Sequence, residues 1–195
     1  MNNMEQVIIE KYIRKASYSD LEDIAAVEAA CFPPAEAASK NDIAARLKIY
    51  PDHFWLMYVR DGSAASSRTD GSPVVANKPY TSDERFILAG FVDGMTTNEP
   101  DLTDEMYEHA DMHDENGCWQ MIFGVNTLPE YRRRGLAGEL IEAAISDARI
   151  KNRRGLVLTC KDRLIHYYAK FGFKNEGISA SVHGNVTWYQ MRLTF

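Results

Sequence analysis

Residues 118–138 read CWQMIFGVNTLPEYRRRGLAG, and their pattern sets the architecture. The apolar run from Cys118 to Asn126 predicts a strand. Pro129 opens a turn, and from Leu136 to Ile150 the positions Leu136, Leu140, Ile141, Ala144, Ile145 and Ala148 recur at helical spacing. A glycine-bearing turn between a strand and a helix leaves amides unpaired at the helix N-terminus. Together with the helix dipole they make a site suited to a pyrophosphate, which Gly135 lets approach the backbone closely. The plainer alternative is an ordinary loop carrying a solvated patch of three arginines, Arg132 to Arg134. No Gly-Lys-Ser/Thr follows and the G-x-G-x-x-G order is absent, which excludes a P-loop and a dinucleotide fingerprint.

Outward from this stretch, Leu156 to Cys160 is apolar throughout and predicts a strand buried on both faces. A short helix over Leu164–Phe171 and a last strand over about Val186–Leu193 follow. Strand, helix, strand in this half implies a parallel pair joined by a right-handed crossover. Upstream, a first strand is predicted at Val7–Ile13. Ser19-Asp20-Leu21-Glu22 has capping-box spacing before a helix whose apolar face is Leu21, Ile24, Val27 and Cys31 and which Pro33-Pro34 ends. Ser39 is placed to cap a second helix through Ile43 and Leu47 that ends before Pro51, and Phe54–Arg60 is the next strand. Residues 61–84, rich in Ser, Ala, Gly, Pro and Asp, predict a mobile hairpin insertion. Phe86–Met95 resumes a strand in which Gly90 and Gly94 mark bulges or close backbone approach.

The 195 residues are 45% hydrophobic and 26% charged, the balance of one globular domain over 1–195. Lys and Arg number 22 against 28 Asp and Glu, a net charge of −6, which argues against a nucleic-acid partner and for a cationic substrate. Eight of those acids lie in residues 98–117, NEPDLTDEMYEHADMHDENG, leaving 20 acids against 22 Lys and Arg elsewhere. Such a segment can act as a negative rim that steers an amine. Cys31, Cys118 and Cys160 stand far apart without C-x-x-C spacing and read as buried thiols of a reducing compartment. Val7–Ile9 is too short for a signal-peptide core and Phe54–Val59 too short to span a bilayer, so a cytoplasmic location away from membranes is expected.

The order R-x-x-G-x-A in residues 132–137, preceded by Val125-Asn126-Thr127-Leu128-Pro129-Glu130-Tyr131, resembles the acetyl-CoA signature of the GNAT N-acetyltransferase superfamily. VLTCKDRLIHYYAKFGFKNEG, residues 157–177, is similar to that family's next strand and helix and contains Y-x-x-F-G-F. Within the superfamily, CFPPAEAAS at 31–39, the V-L-T-C strand and the L-I-x-x-Y-x-x-F-G-F helix most resemble the serotonin (arylalkylamine) N-acetyltransferase group. The resemblance covers nearly the whole chain outside 61–84. It implies an α/β GNAT fold, with a mixed, mostly antiparallel sheet of about six or seven strands splayed between two central strands and helices on both faces. It also implies transfer of an acetyl group from acetyl-CoA directly to a primary amine of a small molecule such as an arylalkylamine, without metal.

Carried onto this sequence, the resemblance implies that backbone groups of Val125, Asn126 and Thr127 pair with the pantetheine arm. The turn of Arg132, Arg133, Arg134, Gly135, Leu136, Ala137 and Gly138 would hold the pyrophosphate. Tyr168 would contact the cofactor and give a proton to the departing thiolate, which a phenol of ordinary pKa about 10 can do at neutral pH. The paired histidines that vertebrate arylalkylamine enzymes use as base are absent from Met121-Ile122-Phe123. Glu36 resembles the glutamate base of the insect enzymes; the alternative is a surface glutamate at a helix start. Phe32, Tyr131, Tyr167, Trp188 and Tyr189 either serve an aromatic acceptor or pack in the core. His109 and His113, with Asp111 and Asp114, have helical ligand spacing, but an acidic solvated helix with incidental histidines is the commoner arrangement, so no metal is expected. His166 and His183 read as surface or structural. Other readings are a polyamine or amino-sugar acetyltransferase, a protein N-terminal acetyltransferase, and a non-catalytic acyl-CoA-binding module. The C-terminal strand edge leaves the chain as a monomer or a homodimer.

Overall fold

The structure is a computed structural model and describes residues 8–61 and 86–195. All but the first residue of the expected 61–84 insertion lies outside the described residues. In chain order the elements are β1 Ile8–Lys15, α1 Leu21–Cys31, α2 Lys40–Ile49, β2 Phe54–Asp61, β3 Ile87–Asp93, β4 Thr96–Thr97 and α3 Glu105–Glu108. They continue with β5 Trp119–Ile122, β6 Gly124–Thr127, α4 Leu136–Ile150, β7 Gly155–Cys160, α5 Ile165–Ala169, β8 Lys174–Ile178 and β9 Tyr189–Thr194.

The strands form two sheets, β1-β2-β3-β6 and β4-β5-β7-β9-β8, in which β5 and β7 are the one parallel pair. The strand expected over 118–126 is therefore divided at Phe123. Its first half joins β7 and its second half joins β3, so the two sheets part between β6 and β7. Phe123 N donates to Asp93 O at 2.8 Å and Met121 N to Met95 O at 2.8 Å, which fixes the chain on both sides of the division. The α4 crossover from β5 to β7 is the predicted one.

Helices cover both faces. α4 buries Leu136, Leu140, Ile141 and Ala144 against Trp55, Met57 and Val92, while α1 and α2 bury Ile24, Val27, Ile43 and Leu47 against Phe54, Leu56 and Phe91. Ser39 caps α2 as expected, accepting from Asp42 N at 3.2 Å. At α1 the box is shifted: Ser17, not Ser19, pairs with Asp20, its N and Oγ donating to Oδ2 at 2.8 and 2.9 Å. Asp20 is fully buried and also receives Arg14, so it sits at the end of a 3-10 turn ahead of α1. Two further expectations need correction. Of the three cysteines only Cys160 is buried, Cys31 and Cys118 being partly exposed. A strand not foreseen, β8, lies at the edge, where its Lys174, Asn175 and Glu176 face water.

Residues 98–117 are not a solvated helix. Leu102, Met106 and Ala110 insert into the α1/α2 side of the core, and Glu115 ties the segment down through His53 Nε2 at 2.9 Å and Lys151 Nζ at 2.7 Å. Among the described residues no helix is long and apolar enough to cross a membrane.

α2 is joined to β3 by a buried ion pair, Arg46 Nη1 to Asp93 Oδ2 at 3.0 Å. Arg46→Met removes one partner of that pair and is expected to cost about 3–5 kcal/mol in urea denaturation. Close approach makes a second prediction. A Cβ on Gly94 would stand 1.8 Å from Met121 O, so Gly94→Ala is expected to cost about 1–3 kcal/mol. For a chain of this size calorimetry would show a Tm lower by roughly 2–12 °C.

Candidate active site

The turn into α4 has the geometry an anion needs. Gly135, the N-cap, has φ 82° and Arg133 has φ 63°, so the chain coils left-handedly just before the helix and turns its first amides outward. Arg132 and Arg134 are engaged locally: Arg132 Nε donates to Thr127 O at 3.1 Å and the Arg134 guanidinium lies 5.4 Å from the Tyr131 ring centre. Arg133 is exposed. The main chain from Arg133 to Ala137 and Gly138 thus opens α4 with amides that have no partner inside the helix, the kind of group an anion can accept from. A Cβ on Gly138 would come within 3.3 Å of Phe171, so glycine there lets α4 close on the turn after α5.

β6 ends its sheet, and its free edge faces the gap toward β7. Leu128 N donates to Ala89 O at 2.9 Å, so by antiparallel alternation Asn126 spends its backbone groups on β3 while Val125 and Thr127 turn theirs to the gap. An extended, amide-bearing chain such as a pantetheine arm fits that edge as an added strand. The side chains nearby are polar and unpartnered: Asn126 Nδ2 and Oδ1 and Thr127 Oγ1 are buried without hydrogen bonds.

Across the gap, α5 places Tyr168 at the wall. It is 6% exposed, with ring contacts to Tyr167 at 5.3 Å and Phe173 at 6.1 Å. Burial, with Cys160 and Tyr167 adding to it, pushes the phenol above its ordinary range, so it keeps its proton at neutral pH. Tyr168 lines a cavity of about 410 Å³ together with Phe123, Gly124 and Val125 from one sheet and Leu158 and Thr159 from the other.

The far end of that cavity is acidic and aromatic. Glu36 lies there, its Oε1 2.8 Å from Lys161 Nζ and its Oε2 buried without a partner. His183, read from the sequence as surface or structural, lines the cavity, contacts Glu36 O at 3.1 Å and stacks on Tyr107 at 5.2 Å. Tyr107 in turn meets Phe123 at 4.8 Å. Asp104 and Glu108 reach the same space from residues 98–117, Asp104 holding Ser181 Oγ and accepting from Val182 N at 2.9 Å. Of the five aromatic residues considered for an acceptor, Phe32 and Trp188 line the cavity and Tyr131, Tyr167 and Tyr189 do not; Tyr131 is core, 1% exposed beside α4.

Among the lining residues that were not expected are three buried charges, Glu28, Arg46 and Asp93. Each is a charge inside an apolar stripe, Glu28 four after Ile24, Arg46 between Ile43 and Leu47, Asp93 ending a run of apolar strand residues. A charged residue in phase with a buried face is the signal that could have found them. Burial and the charge of Asp93 push the Glu28 carboxyl up to about 7. Burial works against the Arg46 charge, but Asp93 and Glu28 more than offset it.

The His109–His113 arrangement does not form, because a 3-10 turn at Ala110–Met112 separates them. His113 instead packs on His53 at 4.9 Å, and both approach Glu115 Oε2, at 3.3 and 2.9 Å. Gln120 Nε2 is committed to two carbonyls, so its Oε1 accepts from His53 Nδ1 at 2.8 Å. Lys151 and Arg153 already hold Glu115, a cationic setting that does not suit a divalent ion.

Residues 83–175 match the family model of an acetyltransferase (GNAT) domain. No curated protein matches the chain. Among solved structures, the loading GNATL domain of CurA from Lyngbya majuscula is similar with a TM-score of 0.69 at 16% identity, over 95% of this chain and 98% of that one. The GphF GNAT-like decarboxylase in complex with isobutyryl-CoA gives 0.67 at 19% identity, over 94% and 98%. Arabidopsis thaliana NAA60 in complex with acetyl-CoA gives 0.61 at 18% identity, over 95% and 99%. Splayed sheets and the α4 turn give the chain a mixed α/β GNAT fold, and residues 83–175 within it match the acetyltransferase (GNAT) domain model.

Proposed function

We propose that this acetyltransferase domain moves the acetyl group of acetyl-CoA directly to a primary amine of a small cationic molecule, for which an arylalkylamine is the leading candidate. The observation that carries the reading is one cavity of about 410 Å³ lined by Tyr168 and Val125 of β6 together with carboxylates and aromatic rings. That volume is in the range of small-molecule pockets. Glu28, Glu36 and Glu108 would attract an ammonium, and the faces of Phe123, Tyr107 and Trp188 offer an aromatic amine apolar contact. Residues 104–108 and 182–188 both contribute lining to the cavity, which favours a compact acceptor over a protein N-terminus laid across an open groove.

In this reading the pantetheine arm lies along Val125 and Thr127, and the amides from Arg133 to Gly138 take the pyrophosphate. The neutral amine attacks the thioester, and Tyr168 supplies the proton that the departing sulfur needs. Glu36, the base implied by the resemblance, lines the same cavity with one oxygen on Lys161.

Turnover with a panel of phenethylamine, tryptamine, spermidine and an N-terminal peptide tests the substrate class, and acetylation of the peptide alone would refute it. Tyr168→Phe is expected to lower kcat by about 10²–10⁴-fold while acetyl-CoA affinity by calorimetry stays unchanged. A module that only binds acyl-CoA would show no turnover in the native chain. If the acidic end of the cavity attracts the acceptor, KM for the amine rises as NaCl is raised from about 0.05 to about 0.5 M, whereas KM for acetyl-CoA does not follow it.

A further inference from the structure

We propose that Glu28, rather than Glu36, takes the proton of the acceptor ammonium, and that the ammonium is seated in the cavity beside Gly124 by Glu28 and Asp93. The proposal rests on the acetyl-transfer reading above and names its base and amine seat.

Gly124 carries the geometric argument. A Cβ there would stand 2.8 Å from Asn126 Nδ2, 2.9 Å from Asp93 Oδ1 and 3.9 Å from Glu28 Oε2. Side chains from α1, β3 and β6 therefore pack closely against Gly124, and Glu28, Asp93 and Gly124 itself line the cavity wall. Two buried carboxylates from different elements thus face one lining position that carries no side chain of its own. An ammonium entering the cavity there can donate to both.

The two candidate bases differ in their partners. Glu36 Oε1 is 2.8 Å from Lys161 Nζ, so that oxygen is already engaged by a cation. Glu28 Oε1 accepts a backbone hydrogen bond from Ala38 N at 2.9 Å, Asn126 lies within reach of the same carboxyl, and Oε2 is the oxygen nearest Gly124. The groups around Glu28 are Asp93 from β3, Arg46 from α2, Asn126 from β6 and, on its own helix, Cys31. Asp93 opposes its ionisation; Arg46, Asn126 and the Ala38 amide favour it; burial is the largest effect and sets the carboxyl at about 7. A base of that strength is matched to neutral pH. Arg46 holds Asp93 in place at 3.0 Å, so Asp93 fixes the ammonium and Glu28 remains to take the proton.

The protons balance. Glu28 accepts one proton from the ammonium and later releases it to water. The freed lone pair bonds to the thioester carbon, and the C–S bond breaks with its electrons on sulfur. The Tyr168 proton passes to that sulfur, and the second proton on nitrogen returns to the phenolate, leaving the amide and the free thiol.

The test is kcat/KM from pH 5.5 to 9 for the native chain, Glu28→Gln, Glu28→Asp, Glu36→Gln and Gly124→Ala with the best amine of the panel, alongside acetyl-CoA affinity and Tm. The native profile is expected to rise tenfold per pH unit and to level near 7. Glu28→Gln should lose about 10²–10⁴-fold and that limb with it, while acetyl-CoA affinity is unchanged. Glu28→Asp should keep the limb at a lower plateau, and Gly124→Ala should raise KM for the amine but not for acetyl-CoA. Stability separates a base from a structural residue. The folded-state pKa of Glu28 lies above its ordinary value, so stability present at low pH is lost as pH rises through 4.5 to about 7. Glu28→Gln should therefore melt above the native chain at pH 8, and less so at pH 5. Wild-type kcat/KM in Glu28→Gln, or loss of the limb in Glu36→Gln, overturns the assignment. If those results come while Tyr168→Phe still abolishes turnover, acetyl transfer stands and only the base and seat are wrong. No transfer to any amine overturns both.

Discussion

At Phe123 one extended run of chain changes its hydrogen-bonding partner from β7 to β3, and the rest of the structure depends on that change. A sheet that continued straight through would close the space between β6 and β7, leaving no edge for an added strand and no cavity. The division is held by main-chain bonds on both sides, Met121 to Met95 and Phe123 to Asp93, and by Gly94, whose missing side chain lets β3 run within contact of Met121. The α4 crossover then returns the chain to β7 on the far side of the gap, so Val125 of β6 and Tyr168 of α5 line one cavity.

Much of this frame is legible in the sequence because it rests on periodicity and glycine. α4 shows its stripe, its N-cap glycine and its boundaries without ambiguity, and the continuous apolarity of residues 156–160 matches a strand buried on both faces. Gly90 and Gly94 mark real close approaches, with a Cβ on Gly90 placed 2.3 Å from Asn126 O. The division at Phe123 is not legible, because Cys118 to Asn126 reads as one apolar run and periodicity carries no information about which neighbour a strand pairs with. β8 escapes for the opposite reason: Lys174-Asn175-Glu176 has no apolar face, and β8 exists as an edge only because β9 is there to pair with it. The left-handed turn into α4 follows local backbone rules and could be foreseen. The buried charge cluster could not, since Glu28, Arg46 and Asp93 come from three elements far apart in sequence and meet only after folding.

Those three residues run against the economy of the fold. Arg46 is 4% exposed, Asp93 2% and Glu28 6%, and each displaces an apolar side chain that would pack at no desolvation cost. An apolar replacement of a buried ion pair is often neutral or stabilising, so stability alone does not account for this cluster. Asn126, buried beside them with both amide atoms unmatched, adds a further cost of the same kind. Where local rules are broken and the breaks converge on one cavity, the compensating gain is sought in what the cavity binds.

The acidic composition of residues 98–117 is a weaker guide to function than the placement of single carboxylates. Four of the eight acids there serve the framework: Asp101 pairs with Arg192 at 2.6 Å, Glu115 with Lys151 and His53, Asp104 with Val182 N and Ser181 Oγ, and Asp114 with Asn98 at 3.0 Å. The segment is a packed cover anchored by Leu102, Met106 and Ala110, not a charged fringe. Charge already matched by Arg, Lys or an amide contributes little field beyond a Debye length. The charge inside the cavity is set instead by the carboxylates that line it, Glu28, Glu36, Asp42, Asp93, Asp104 and Glu108, with Arg46 as the buried counter-charge that holds Asp93.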